Sequence, residues 1–184
     1  MKPLYHGTIY EFDEIDVSVG KGYKDFGKGF YATAILSHAE RLAIRNKNIA
    51  EKRQRFLEIK NGIKTHPIVA YRYNLLFSEE MCGLKVKIFE KADKEWLRFV
   101  LGNRRCAGCA HDYDIVIGPT ADAETTTIIN EYYEELEESG YSDEVCDKII
   151  AELKPENLPK QYFFGTREAL NTLSFDKVKR QVIG

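Results

Sequence analysis

The chain has 184 residues, 43% of them hydrophobic and 30% charged, with a formal net charge of −2. That length suits a single domain over residues 1–184, and the near-balanced charge gives no overall basic field that would demand nucleic acid. No signal-peptide core opens the chain and no apolar run reaches the roughly 18 residues of a membrane span, so a cytoplasmic protein with no membrane partner is expected.

Residues 2–6 read as a short strand, and "PLYHGT" raises the question of why a strand-like run ends in His6-Gly7. Residues 9–26, rich in Asp, Gly and Lys, read as a loop, and "KGFYAT" at 28–33 as a second strand. Ser37 and Glu40 have capping-box spacing and predict a helix from there. Leu42, Ile49 and Phe56 recur at heptad spacing as its apolar stripe, and Asn61-Gly62 marks its stop. Strands follow at 66–77 and at 84–90, where "LKVKIFE" alternates with period two. Residues 93–103 predict a helix with Trp96, Leu97 and Val100 on one face. "YDIVIGP" at 113–119 predicts a buried strand closed by Gly-Pro. Two further helical stripes come from Ile128, Tyr132 and Leu136 and from Val145, Ile149 and Leu153, with Pro155 and Pro159 ending the helical region. "QYFFGT" at 161–166 is another strand, and the tail holds a last one around Leu173, Phe175 and Val178. Runs of strands without a regular βαβ alternation point to an α+β fold.

The four cysteines, at 82, 106, 109 and 146, are too sparse for a disulfide framework and read as reduced thiols. "CAGCAH" brings Cys106, Cys109 and His111 close in sequence. It lacks a second pair at zinc-ribbon spacing, and the reading is a loop with incidental thiols and no metal. The glycines at 20–29 are not a dinucleotide-fold fingerprint, because no full strand precedes them and no helix opens directly after.

Three pieces, "LYHGT", "DFGKGFYAT" and "LPKQYFF", carry more weight together than alone. They resemble the three motifs of the ADP-ribosyltransferase superfamily, in the branch of the poly(ADP-ribose) polymerases and diphtheria-type toxins. That branch has His-Gly on a first strand, Gly-x-Gly-aromatic-Tyr on a second, and a polar residue, usually Glu, opening a later one. The chain is most similar to a toxin-like bacterial group of this superfamily. The matching stretches are Leu4 to Gly7 (with Thr8 for Ser), Asp25 to Tyr31, Trp96 to Arg104, Tyr113 to Pro119 and Gln161 to Phe164. The resemblance implies an ADP-ribosyltransferase-like fold of split mixed and antiparallel sheets flanked by helices.

It also implies NAD as co-substrate. His6, Tyr31 and Gln161 would be the catalytic set, and His6, Gly7, Thr8, Gly29, Phe30, Tyr31 and Arg104 the cofactor-binding set. These types suit the chemistry. Breaking the ribose–nicotinamide bond passes through an oxocarbenium-like transition state, which calls for orientation and placed charge. A His can bond a ribose hydroxyl, a glycine lets backbone come close, and a Tyr ring offers a flat stacking face. Singly, each has an ordinary reading: a strand-end His, turn glycines, a core Tyr, a surface Gln or a salt-bridged Arg104. The chain departs from the polymerase pattern at Gln161, where Gln keeps a hydrogen bond but brings no charge. That argues against chain elongation and for single transfer to a protein or nucleic-acid acceptor. The expected role is the toxin of a toxin–antitoxin or phage-defence pair, with an antitoxin protein as partner. A non-catalytic NAD- or ADP-ribose-binding module and an NAD glycohydrolase remain alternatives. Arg41, Arg45, Lys47, Lys52, Arg53, Arg55 and Lys60 offer a phosphate track on the first helix, or simply a solvated face.

Overall fold

The computed structural model describes residues 1–62, 66–121, 123–153 and 158–183. The fold is α+β. Its seven described strands mix parallel and antiparallel pairing, and helices flank them. The chain forms two compact units, one of residues 1–15, 32–80 and 171–184, the other of residues 16–31 and 81–170. Among the described residues no helix is long and apolar enough to cross a membrane.

The first unit is built on antiparallel pairing. Strand β1 (Lys2–Thr8) lies beside β3 (Ala70–Phe77) in a register that sets His6 opposite Tyr73 and Gly7 opposite Arg72. Strand β7 (Leu173–Ile183) adds to the other side of β3, with a register shift between Tyr73 and Leu75. At that shift Asn74 donates from Nδ2 to the Val178 carbonyl at 2.7 Å. The last residue of β2 (Phe30–Thr33) pairs with Tyr5. Leu4, Tyr73, Leu75 and Phe77 are buried here, together with Ala39 and Ala43 of helix α1 (Leu36–Asn61).

Helix α1 differs from its sequence expectation at its start and in its buried face. Ile35 stands at the N-cap with no side-chain cap bond, so Ser37 lies inside the helix and no capping box forms. Thr33 Oγ1 accepts from the Ile35 N–H at 3.2 Å instead. The buried positions are Ala39 and Ala43, while Leu42, Ile49 and Phe56 are exposed. Small residues win that face because the sheet backbone approaches closely there. The C-terminus is as expected: Gly62 is left-handed at φ 66° and returns its N–H to the Glu58 carbonyl.

The second unit holds β4 (Val86–Ile88), parallel to β5 (Ile115–Pro119), which is antiparallel to β6 (Lys160–Phe164). Parallel β4–β5 pairing needs a crossover, and α2 (Lys94–Arg104) supplies it. Asp93 caps α2 by accepting from the Trp96 N–H at 3.0 Å. Trp96, Leu97 and Val100 are buried as expected, and the Trp96 indole donates to the Pro119 carbonyl at 3.0 Å. The stripe at 128–136 does not form one helix. It divides into α3 (Ala123–Glu131) and α4 (Tyr133–Glu138), with Tyr132 between them. Helix α5 (Asp143–Leu153) buries Val145, Ile149 and Leu153. Pro155 lies outside the described residues. A short α6 (Arg167–Leu170), absent from the sequence reading, precedes β7.

Candidate functional site

In the first unit the "HGT" segment lies within β1, which runs on through Thr8. His6 is half-buried, with its ring edge-on to Phe12 at 5.9 Å between centroids. Phe12 in turn stacks on Tyr73 at 3.9 Å. The Tyr73 hydroxyl accepts from the Phe12 N–H at 2.7 Å and donates to the Phe12 carbonyl at 3.1 Å. Gly7 has a packing reason to be glycine. A Cβ there would fall 1.8 Å from the Ala39 carbonyl oxygen and 3.1 Å from the Ala43 nitrogen, so α1 rests on the bare backbone of β1. Thr8 is buried and its hydroxyl accepts from the Tyr10 N–H at 3.2 Å. Beside them Arg72 bonds Glu40, Gln181 and Asn74.

In the second unit the glycine-rich loop before β2 lies on the "CAGCAH" loop. The Tyr23 N–H reaches the Cys106 carbonyl and the Lys28 N–H the Gly108 carbonyl, both at 2.9 Å. The Cys109 thiol donates to the Lys28 carbonyl at 3.3 Å. Burial raises the Cys109 pKa, which keeps it a thiol rather than a nucleophilic thiolate. His111 Nδ1 accepts from the Tyr113 N–H at 3.0 Å, so Nε2 carries the proton it gives to the Phe26 carbonyl at 2.9 Å. Its ring stacks on Phe99 at 4.8 Å, and burial lowers its pKa. Asn103, fully buried at the end of α2, accepts the Ala110 N–H and donates to the Phe99 carbonyl, both at 2.9 Å. Among the described residues no group of three or more His, Cys, Asp or Glu side chains could hold a metal. The thiol loop is a support for the glycine loop.

That loop delivers Tyr31 and Asp25. The Tyr31 hydroxyl accepts from the Phe26 N–H at 3.1 Å and donates to the Gly27 carbonyl at 2.7 Å, at the residue where φ is 89°. Its ring sits edge-on to Phe163 at 5.2 Å, and burial raises its pKa. Phe30, one residue earlier and buried, points to the other side and tilts against Phe164. Gly29 is pressed on β6: a Cβ there would be 2.5 Å from the Phe163 ring and from the Phe164 carbonyl oxygen. Gln161 and Phe163 share one face of β6 by the two-residue period, so Tyr31 and Gln161 lie on that same face.

The polar centre of the unit is Asp25. Its Oδ1 accepts from Arg104 Nε at 2.9 Å and lies 2.8 Å from Nη2 in an ion pair. Its Oδ2 accepts from Gln161 Nε2 and the Ala121 N–H, both at 2.9 Å. Arg104 also donates to Thr126 Oγ1 at 3.1 Å and to the Ala121 carbonyl at 2.9 Å. Residues from four separate stretches thus meet on one carboxylate. Of the residues singled out in sequence, Gln161 and Arg104 are joined through Asp25, and Tyr31 and Gly29 pack on Phe163 two positions along β6. His6, Gly7 and Thr8 belong to the first unit. Asp25 and Asn103 entered the sequence reading only as members of the matching stretches, and His111 only beside the thiols of "CAGCAH". Asp25 was visible as the first residue of "DFGKGFY", but its partners are 79 and 136 positions away.

The chain belongs to a family described as a protein of unknown function, DUF3990, whose model matches residues 2–175. No curated protein and no solved structure matches it.

Proposed function

We propose that this protein is a mono-ADP-ribosyltransferase that uses NAD to modify an intracellular protein or nucleic acid, in the role of a toxin within a bacterial toxin–antitoxin or phage-defence pair. Its reaction breaks the bond between ribose C1′ and the nicotinamide nitrogen. Nicotinamide leaves with the bonding pair, the acceptor's nucleophile bonds C1′, and the acceptor loses a proton. The observation that carries the reading is the placement of the three motifs: His6-Gly7 is on β1, Tyr31 on β2 directly after the glycine loop, and Gln161 second in β6. A strand position for each motif is what the resemblance calls for, and that supports the reading.

The second unit's residues suit the task. Gln161 Oε1 is a hydrogen-bond acceptor for a ribose hydroxyl, and the Tyr31 ring is a flat surface on the same face of β6. Tyr31 is also the strut that sets the loop bearing Asp25. Arg104 has its donors engaged with Asp25, Thr126 and Ala121, which favours a positioning part over direct contact with a pyrophosphate. By the resemblance, His6, Gly7, Thr8, Gly29 and Phe30 contribute to NAD recognition.

One observation favours a second reading. The Asp25 carboxylate is already paired with Arg104, and Gln161 is neutral, so little net negative charge faces a developing cation. An NAD- or ADP-ribose-binding module without turnover, or a slow NAD glycohydrolase, needs no more than that. Incubation with adenylate-labelled NAD and a cell lysate separates them. Transfer gives a labelled macromolecule that protease or nuclease removes, hydrolysis gives free ADP-ribose, and a binding module leaves NAD intact.

A further inference from the structure

We infer that Asp25 is a positioning residue that fixes the side-chain amide of Gln161 with its carbonyl oxygen outward, making this point of the second unit a receptor for a ligand hydroxyl. The inference deepens the transferase reading and rests on it for the identity of that hydroxyl, a ribose one. The orientation itself follows from the bonding. Gln161 Nε2 lies 2.9 Å from Asp25 Oδ2 and 3.5 Å from the Pro119 carbonyl oxygen. Both neighbours are acceptors only, so the NH2 end must face them, and a flipped amide would set oxygen against two oxygens. Among the described residues nothing donates to Gln161 Oε1, and the residue is half-buried at the start of its strand. Its outward atom is therefore an acceptor, which selects a hydroxyl or N–H donor and disfavours a phosphate or carboxylate.

Asp25 can hold the amide because its own geometry is over-determined. The Arg104 guanidinium grips Oδ1 through two nitrogens, and the Ala121 N–H shares Oδ2 with Gln161. An oxygen must remain on the Arg104 side to keep the charge-assisted pair. In Asp25→Asn that requirement turns the new NH2 toward Gln161. Two donors then meet, and the Gln161 amide flips to give its oxygen to the introduced asparagine and its NH2 to the ligand. The receptor changes from acceptor to donor, and the Ala121 N–H loses its acceptor at Oδ2.

The test is a reversal, not a simple loss. Asp25→Asn is expected to lower kcat for NAD cleavage by about ten- to a hundredfold. Gln161→Glu alone is expected to lower it too, since two carboxylates at one hydrogen-bond distance repel and push the introduced side chain off its position. Together, Asp25→Asn and Gln161→Glu should be less impaired than either single variant, because the new glutamate can accept from the new asparagine with one oxygen and present the other, while the unpaired Ala121 N–H keeps the recovery partial. A double variant at least as impaired as the worse single one overturns the inference. A second measurement is independent of catalysis. In wild-type protein, NMR should show slowed solvent exchange of the Gln161 side-chain N–H2 and a coupling across its hydrogen bond to the Asp25 carboxyl carbon. A freely exchanging amide without that coupling overturns the inference even if NAD is cleaved. If wild-type protein neither binds nor cleaves NAD, the transferase reading fails, and the amide measurement still decides the positioning.

Discussion

Replacing Gly7 by alanine asks whether that glycine serves packing or ligand approach. The added methyl carbon would stand 1.8 Å from the Ala39 carbonyl oxygen and 2.7 Å from its carbon, where ordinary contact begins at 3.4 Å. The obstacle is helix backbone, not the end of a flexible side chain, so α1 must withdraw from β1 by about 1.5 Å. That withdrawal loosens Ala39 and Ala43 and strains the ion pair between Glu40 and Arg72. Overpacking of this kind costs about 1–3 kcal/mol, and a backbone obstacle puts Gly7→Ala at or above the upper end. For a chain of this length each kcal/mol lowers the melting temperature by about 2–4 °C, so a fall of about 6–12 °C is expected. Thermal melts with and without NAD supply the assay. Packing predicts a large fall in the melt itself. A melt unchanged within about 1 °C, with the NAD-induced shift abolished, would refute the packing argument and leave ligand approach as the reason for glycine.

Tyr31→Phe keeps the ring but removes the hydroxyl that ties the Phe26 N–H and the Gly27 carbonyl. Leaving those groups unpaired is expected to cost about 1–3 kcal/mol and to speed amide exchange at Phe26, so an unchanged melt and exchange rate would return all of Tyr31's role to its ring. Burial holds the folded His111 pKa below the ordinary 6.5. The unfolded chain therefore binds the proton first as pH falls. The neutral His111 contribution is complete above about pH 6.5 and is lost as pH drops toward the lower folded value. Urea midpoints at pH 7.5 and pH 5 should fall more in wild-type protein than in His111→Phe, and equal falls would contradict the assignment. Asp93→Ala removes the cap of α2 and should cost about 0.5–2 kcal/mol in urea unfolding, with no cost counting against the cap.

Much of the fold was legible because its strands and helices are short and strongly patterned. The apolar run at 113–119 became β5, buried at each of its residues Ile115–Pro119. Trp96, Leu97 and Val100, and Val145, Ile149 and Leu153, marked the buried faces of α2 and α5. Reading failed where tertiary packing overrode local pattern. The heptad of Leu42, Ile49 and Phe56 looked like the buried stripe of α1, but a glycine in β1 lets the helix approach so closely that only alanines fit. Likewise, nothing local to "DFG" announces that Asp25 will gather Arg104, Ala121 and Gln161. The residues proposed to face the ligand had a resemblance to point at them, whereas Asp25 had only long-range partners.

The central claim is transfer of ADP-ribose, and the most direct measurement counts both products of the bond that breaks. Purified protein, adenylate-labelled NAD and a lysate are incubated, and released nicotinamide is measured against label fixed to macromolecules, for wild-type protein and for Gln161→Ala. The account predicts that nicotinamide and fixed label rise together in wild-type protein, and that both fall in the variant while it keeps its fold. NAD left intact, or nicotinamide released with free ADP-ribose as its only counterpart, would contradict it.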